Sequence, residues 1–530
     1  MFTTETKWEV EQQALGELYQ DKRAHHLEVA IHYAREYQRH LPHIERHLPS
    51  WLTLLSHARD RSDLHESASE LITLLHGPVT SLGHLTDWEP HIRFAIAVCA
   101  RLGKKTQQAE FCERLSKILY WTGEFELAQE AAEQSLAIAS TISDSRILVA
   151  GANAVISALI ARAQLDAART LLEAIESNSL VQETTGETRA WVMAQLLLYK
   201  AMLTRMLGGS SALVEAARLS DEAMHWLQQF PEANLNLYAH VCRNQAVYHW
   251  QIDHYGRAIK LLRQSAHLFS LQENLSDQRL AKSTLGLVYW SAGHLLKAER
   301  YIRRSAQEAK RRNGRWQFTR QIGNLALVAL FRGRLLEARR YSEQHCRMAE
   351  VMGVKLEYSR ARCNRGIIAF HQGEYELART DMDFDRCYLE TNYPNSQGLA
   401  STYVNLALCH AALTNSVSAH IYAKKAMQIA RTVKQPSAFL IALRAMAECY
   451  PKDDHEHRIA LLRRALFLAK RIGRRIDHAG CLFSLSHITN DETAWESAVA
   501  LLCRAGATQW LYDDAGDKTM TNPPFLPAVV

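Results

Sequence analysis

Only 11 prolines and 23 glycines occur in 530 residues, which leaves little room for linkers between separate domains. No apolar run approaches the roughly 20 residues needed to cross a bilayer. Met1 to Val10 is charged where a secretory leader would be greasy. The expectation is a cytoplasmic protein with no membrane partner. The ten cysteines form no CxxC pair. Those in helical patterns, such as Cys99, Cys242, Cys409 and Cys481, read as small buried apolar groups in a reducing compartment, without a disulfide framework or zinc knuckle.

Motifs for chemistry are absent too. Neither GxSxG nor HExxH occurs. The one phosphate-loop lookalike, Gly103-Lys104-Lys105-Thr106, lacks the upstream glycine and carries lysine where a magnesium-binding hydroxyl belongs. With no strand pattern, there is no sheet edge on which a dinucleotide site could be built. His40, His43 and His47 have helical spacing, but Pro42 interrupts them and no cysteine or acidic cluster completes a metal shell. They read as a solvated polar face, and Asp453-Asp454-His455-Glu456-His457 as a charged turn. The expectation is therefore no catalytic residue, no cofactor and no metal. Net charge is +6, from 62 basic and 56 acidic residues, too mild by itself to imply a nucleic-acid partner.

What the chain does have is a period. Ala128, Ala168, Ala217, Ala258, Ala298, Ala338, Ala378, Ala419, Ala460 and Ala498 recur at steps of 40, 49, 41, 40, 40, 40, 41, 41 and 38 residues. A small residue at a fixed point lets one helix approach its neighbour closely. Gly123, Gly293, Gly333 and Gly373 stand where a left-handed cap must end the first helix. Each unit is thus a helix, a short turn and a second helix. In the 49-residue step, Leu207-Gly208-Gly209-Ser210-Ser211 suggests a longer turn. After Ala419 the glycine is replaced, with Thr414, His455 and Thr493 in its place, and Ala498 belongs to a capping pair.

The segments Leu285-Gly286-Leu287-Val288-Tyr289-Trp290-Ser291-Ala292-Gly293 and Ile118-Leu119-Tyr120-Trp121-Thr122-Gly123-Glu124-Phe125-Glu126-Leu127-Ala128 resemble the tetratricopeptide repeat. The period of about 40 is similar to that of the sensor regions of bacterial signal-transducing ATPases of the STAND and NB-ARC type, and of maltose-activator-like regulators. The resemblance covers residues 101–505. It implies an all-α, right-handed tetratricopeptide solenoid of about ten helix pairs. Residues 1–100 are expected to form an N-terminal helical cap, 101–512 the repeats, and 513–530 an extended or disordered tail rich in proline.

The family also implies a concave face lined by first helices and, at one register on that face, asparagines that contact the main chain of an extended peptide. Fourteen residues before the repeated alanine stand Asn244, Asn324, Asn364 and Asn405, with Thr284 in the fifth unit. A primary amide can pair with a peptide's C=O and N–H together, whatever the peptide's side chains. Discrimination would come from Arg243, Trp250, Trp290, Arg320, Phe331, Arg360, Phe370 and His371, since arginine forks onto carboxylates and aromatic rings supply apolar pockets. The expected partner is a protein or an extended peptide with acidic and hydrophobic side chains, bound by a non-enzymatic scaffold.

A rival reading starts from charge. From Lys297 to Arg347 there are fourteen lysines or arginines against four glutamates. They include Arg303, Arg304, Arg311, Arg312, Arg339 and Arg340, which fall mainly in second helices. A second cluster runs through Arg463-Arg464, Lys470-Arg471 and Arg474-Arg475. Such a face could dock a regulatory subunit in a bacterial signalling or defence assembly, against an acidic partner or, as the weaker option, nucleic acid.

Overall fold

The computed structural model describes residues 22–38, 40–208, 211–311 and 314–511. The tail expected at 513–530 and Arg312 lie outside the described residues. Among these, every regular element is a helix. In chain order they are α1 (22–37), α2 (Leu41–Ala58), α3 (His65–Leu82), α4 (Leu85–Arg101), α5 (Lys105–Thr122), α6 (Phe125–Ala139), α7 (Ser145–Ala161) and α8 (Leu165–Glu176). Next come the short α9 (Ser179–Gln182), then α10 (Gly186–Leu207), α11 (Ala212–Gln228), α12 (Leu235–Gln251), α13 (Tyr255–Leu271), α14 (Leu275–Ser291), α15 (Leu295–Arg311), α16 (Arg315–Phe331) and α17 (Leu335–Met352). The series closes with α18 (Lys355–His371), α19 (Tyr375–Asn392), α20 (Gln397–Ala412), α21 (Ser416–Val433), α22 (Pro436–Cys449), α23 (His455–Ile472), α24 (Arg475–Thr489) and α25 (Glu492–Ala505). The fold is an all-α solenoid of tetratricopeptide-type helix pairs behind a helical N-terminal cap. No described helix is long and apolar enough to cross a membrane.

Even α-helices from α12 onward are first helices of their pairs, and odd ones are second helices. The difference is visible in burial. In α15 the buried positions Leu295, Ala298, Ile302, Ala306 and Ala309 follow helical spacing, so one stripe is covered and the arginines face out. In α16 every residue from Gln321 to Phe331 is buried, so that helix is covered on all sides. Gly286 and Gly366 mark how tight the pairing is. A Cβ on Gly286 would stand 3.0 Å from Ile302 Cγ1 and one on Gly366 3.0 Å from the Ala378 carbonyl.

The repeated alanines are buried except Ala460, which is exposed. In α23 the equivalent register belongs to Arg458, which donates to the carbonyls of Ala447 and Lys452. The four expected cap glycines all have positive φ, and Asp253, Thr414 and Asn490 adopt it elsewhere. Thr414 thus does fill a glycine's place. His455 and Thr493 lie within the following helices instead. The extra length in the 49-residue step goes into α9 and a longer α10, not into a long turn after Leu207; Gly209 and Ser210 lie outside the described residues.

By contact density the chain divides into two compact units. The first comprises Met1–Ala158 with Leu271–Ser276 and Arg312–Gly314. Its core runs through Leu27, Ile44, Leu71, Trp88, Ile118 and Ala128. This division differs from the change at residue 100, which marks where the sequence repeat begins. Within this unit His43 is hydrogen-bonded to the Tyr33 hydroxyl at 2.9 Å and His47 stacks on Trp51. The three histidines therefore belong to a small aromatic cluster.

The second unit comprises Leu159–Ser270, Asp277–Arg311 and Arg315–Val530, and its defining feature is contact between distant repeats. Ser437 N–H donates to Asp253 Oδ2 at 2.9 Å, and Gln435 Nε2 to the Gln251 carbonyl at 3.0 Å. Arg475 contacts His294 Nδ1 at 3.1 Å. Trp510 Nε1 donates to the carbonyls of Leu330 and Phe331, and Arg332 Nε to that of Gly506. Each contact joins the turn after one first helix to a segment near the start of another inner segment. The end of α12 thus meets the start of α22, and the end of α14 meets the start of α24. In both cases the separation is ten helices, or five pairs. Within this unit, one winding of the solenoid rests directly on the next.

Two glycine substitutions separate this seam from ordinary capping. Gly293 and Gly373 both hold positive φ, +76° and +82°. Alanine at either costs roughly 1–2 kcal/mol for the left-handed backbone. A Cβ at Gly293 would also stand 2.8 Å from Arg475 Cβ, whereas at Gly373 it meets nothing within 4 Å. Gly293→Ala is expected to lower the unfolding free energy, read by urea titration, by about 1–3 kcal/mol more than Gly373→Ala. Equal losses would show that the seam does not hold in solution.

Candidate ligand-binding interior

The first helices turn arginines inward. Arg205 near the end of α10, Arg320 on α16 and Arg360 on α18 lie within electrostatic reach of one another, Arg320 acting on both of the others. Burial lowers the pKa of Arg205 and Arg360, because a cation loses hydration there. One carboxylate answers two of them, Arg320 and Arg360. Glu357 lies 3.6 Å from Arg360 and 4.0 Å from Arg320, and accepts from His345 Nε2 at 2.8 Å. Burial works against its charge, yet Arg360 and His345 outweigh that and hold it down at about 2. Burial pushes His345 the other way, toward a neutral imidazole. Arg205 makes no ion pair among the described residues; its guanidinium lies 3.2 Å from Met206 Sδ.

The asparagine register behaves differently from unit to unit. Asn324 is already engaged: its Oδ1 accepts from Arg360 at 2.7 Å and its Nδ2 faces Gln321 Oε1 at 3.4 Å. Asn364 and Asn405 are buried, and the Nδ2 of each has no hydrogen-bond partner. Asn244 is half-buried. Arg243 is occupied by Asp277 at 2.8 Å, with His240 3.4 Å from the same carboxylate. Two consecutive units, α18 and α20, therefore present amide donors to the interior with nothing to receive them, which is costly unless a ligand or water does so.

Three expected aromatic contacts are core. Trp250 donates from Nε1 to Ser291 Oγ at 2.8 Å, joining adjacent units. Trp290 and Phe331 are almost wholly buried and pack edge to face with centroids 5.4 Å apart. None of the three is accessible to a peptide, because the stacked windings cover the first helices on the side where an open groove was expected. Phe370 is half-buried against the same core. His371 sits edge-on to Trp510 at 5.6 Å, and burial lowers its pKa to about 4.

The basic second-helix face is paired in part. Arg303 pairs with Glu299 at 2.6 Å and Glu337 at 3.4 Å, Arg304 with Glu308 at 3.1 Å, and Arg339 with Glu343 and Glu374 at 3.1 and 2.6 Å. Arg332 and Arg334 also converge on Glu299. Arg311 and Arg340 are exposed.

Arg205 also lines a cavity of about 400 Å³ between the end of α10 and the start of α20, within the range of small-ligand sites. Tyr393, Gln251 and Gln435 line it as well. The Tyr393 hydroxyl and the Oε1 of each glutamine are buried without a hydrogen-bond partner. The apolar wall is supplied by Leu165, Met206, Leu213, Leu356 and Val433. A guanidinium, a phenol and two amide carbonyls around an apolar wall can hold a carboxylate at one end and N–H donors at the other. Arg205 was illegible in the sequence because it falls in the unit whose spacing is irregular. Its one signal is a basic residue near the end of the apolar helix α10.

No protein-family model matches the chain, and no curated protein matches it. Solved structures do. A Rap protein complexed with competence and sporulation factor superposes with a TM-score of 0.54 at 13% identity, over 67% of this chain and 96% of that one. NprR in complex with its cognate peptide NprX gives 0.49 at 11% identity, over 65% and 94%. Aspartyl phosphate phosphatase F from Bacillus subtilis gives 0.40 at 14%, over 69% and 94%. The first of these likenesses establishes the tetratricopeptide-like fold.

Glu357 gives the interior a pH signature. Its pKa in the folded chain is below the ordinary 4.5, so its stabilising contribution is complete above pH 4.5 and is lost as pH falls toward 2. Glu357→Gln leaves Arg360 buried without its counter-charge and is expected to cost about 3 kcal/mol at pH 7. The variant's stability should then fall less steeply than the wild type's between pH 4.5 and 2. Parallel acid limbs in urea titrations would contradict this assignment.

Proposed function

We propose that this protein is a non-enzymatic scaffold whose interior receives a short extended peptide, or a segment of a partner protein, that carries carboxylates. The observation that carries the reading is the charge imbalance: Arg320 and Arg360 share one carboxylate, Glu357, and Arg205, within electrostatic reach of Arg320, has none among the described residues. Water alone is a poor counterpart for enclosed cations, whereas a peptide carboxylate forks onto a guanidinium. The unpaired amides of Asn364 and Asn405 would donate to the peptide's carbonyls, a contact indifferent to its sequence. The cavity at Arg205 offers an end-anchor for a terminal or side-chain carboxylate. The Rap protein of the same fold, solved with competence and sporulation factor, is consistent with such a use of these helices.

A regulatory subunit docked through the basic outer face draws less support. Arg303, Arg304 and Arg339 are engaged by glutamates on the same and neighbouring units, so these side chains are already committed within the fold. The likeness to ATPase sensor regions remains a reason to expect that occupancy is passed on to a partner.

Arg205→Met separates binding from folding. The arginine pays for no ion pair in the fold, so its replacement should leave the urea midpoint unchanged or raise it. Binding of a fluorescein-labelled pool of short Asp- and Glu-containing peptides, read by anisotropy, should weaken at least ten-fold, as it should in Asn364→Ala/Asn405→Ala. The same pool with Asn and Gln in place of the acids serves as the control. Wild-type affinity in both variants, or equal binding of the two pools, would end this reading.

A further inference from the structure

The basic cluster Lys470-Arg471 and Arg474-Arg475 plays no part in the interior just described. It lines a second cavity, of about 540 Å³, on the seam between windings. The opposite wall comes from the start of α13, with Arg257, and from His254 and His294. The first turns of α13 and α24 line it, and the N–H groups of a first turn have no partner within their own helix.

The local charge is strongly one-sided. Arg474 is answered by Asp477 at 2.8 Å. Arg257 has Asp221 at a distant 3.5 Å, with both side chains more than half exposed. Lys470 and Arg471 are exposed and, like Arg475, are without an ion pair among the described residues. The cavity's one carboxylate, Asp253, is already committed, accepting from Ser437 N–H at 2.9 Å and from the Tyr255 hydroxyl at 2.7 Å. Burial holds His294 and His478 below their ordinary pKa, so near pH 7 they are neutral N–H donors, and arginine and lysine carry the charge.

We infer that this seam cavity binds a small anion with adjacent phosphates, which bridges Arg257 on one winding to Lys470, Arg471 and Arg475 on the other. A diphosphate offers a separate charged group to the cations of each wall, where a single phosphate offers one. Because the two walls belong to repeats about 200 residues apart in sequence, the bound anion staples the windings together and stabilises the folded form by mass action. The peptide interior uses none of these residues.

Calorimetry on the full chain tests this with sodium pyrophosphate, against orthophosphate and sulfate at equal ionic strength. Pyrophosphate is expected to bind at least ten-fold more tightly than either and to raise the thermal midpoint. Lys470→Ala/Arg471→Ala, at exposed positions that leave circular dichroism unchanged, should weaken it at least ten-fold. Arg303→Ala/Arg304→Ala on the outer face, and Arg205→Met in the interior, should not. ATP that binds as well as pyrophosphate identifies a nucleoside polyphosphate, and ATP that is rejected identifies an inorganic one; either supports the site. Equal affinity for orthophosphate, undiminished binding in the Lys470/Arg471 variant, or a duplex oligonucleotide that outcompetes pyrophosphate would overturn the inference.

Discussion

Ser437 donates its backbone N–H to a carboxylate 184 residues earlier in the chain, and much of the second unit depends on contacts of that kind. Repeat solenoids normally need only nearest-neighbour interfaces, so stability adds unit by unit. Here the turns after α12 and α14 also find partners five pairs further on. Asp253, held at positive φ, does two jobs: it ends α12 and offers its Oδ2 across the seam. Burial raises its pKa, against the pull of the nearby Arg474, a tyrosine hydroxyl and a backbone N–H, each of which favours the charged form. The seam is thus a network of donors converging on buried acceptors, and such networks are costly to leave half satisfied.

The chemistry of the interior follows from that constraint. A first helix facing open solvent could carry arginines at no cost. Once the windings stack, the same side chains lose water and must be answered within the protein. Arg362 and Arg365 are: both reach Asp381 at 2.7 Å. Arg243 has Asp277 and Arg444 has Asp477, each at 2.8 Å. Against that background of paired guanidiniums, Arg205 without a carboxylate is the exception. So are the amides of Asn364 and Asn405, in a register where Asn324 has been satisfied by Arg360.

How much of this was legible from the chain can be judged residue by residue. Periodicity carries the pairing of helices because the alanine must sit where two backbones approach, and the cap glycines because few residues tolerate positive φ. Both rules concern contacts within one unit. They fail where another residue can do the same work, as with Asp253 for glycine or Arg458 for alanine. Contacts between windings leave no local pattern, since the partners are separated by nearly two hundred residues and share no spacing rule. Trp250, Trp290 and Phe331 read as groove residues in the sequence for that reason. On an open solenoid their faces would be wet, and only stacking makes them core.

The two cavities obey the same constraint. Both lie where first-helix ends of one winding meet first-helix starts of the next, and neither can be built by one repeat alone. At the α10 and α20 junction the polar groups left over are a single cation with neutral acceptors, in an apolar setting that favours a ligand with a carboxylate and an apolar body. At the α13, α23 and α24 junction the groups left over are several exposed cations around a committed Asp253, a setting that favours compact multiple charge. Each place where the stacked windings fail to satisfy one another thereby acquires its own chemical preference, set by which unpaired groups the repeat register happens to bring to that point.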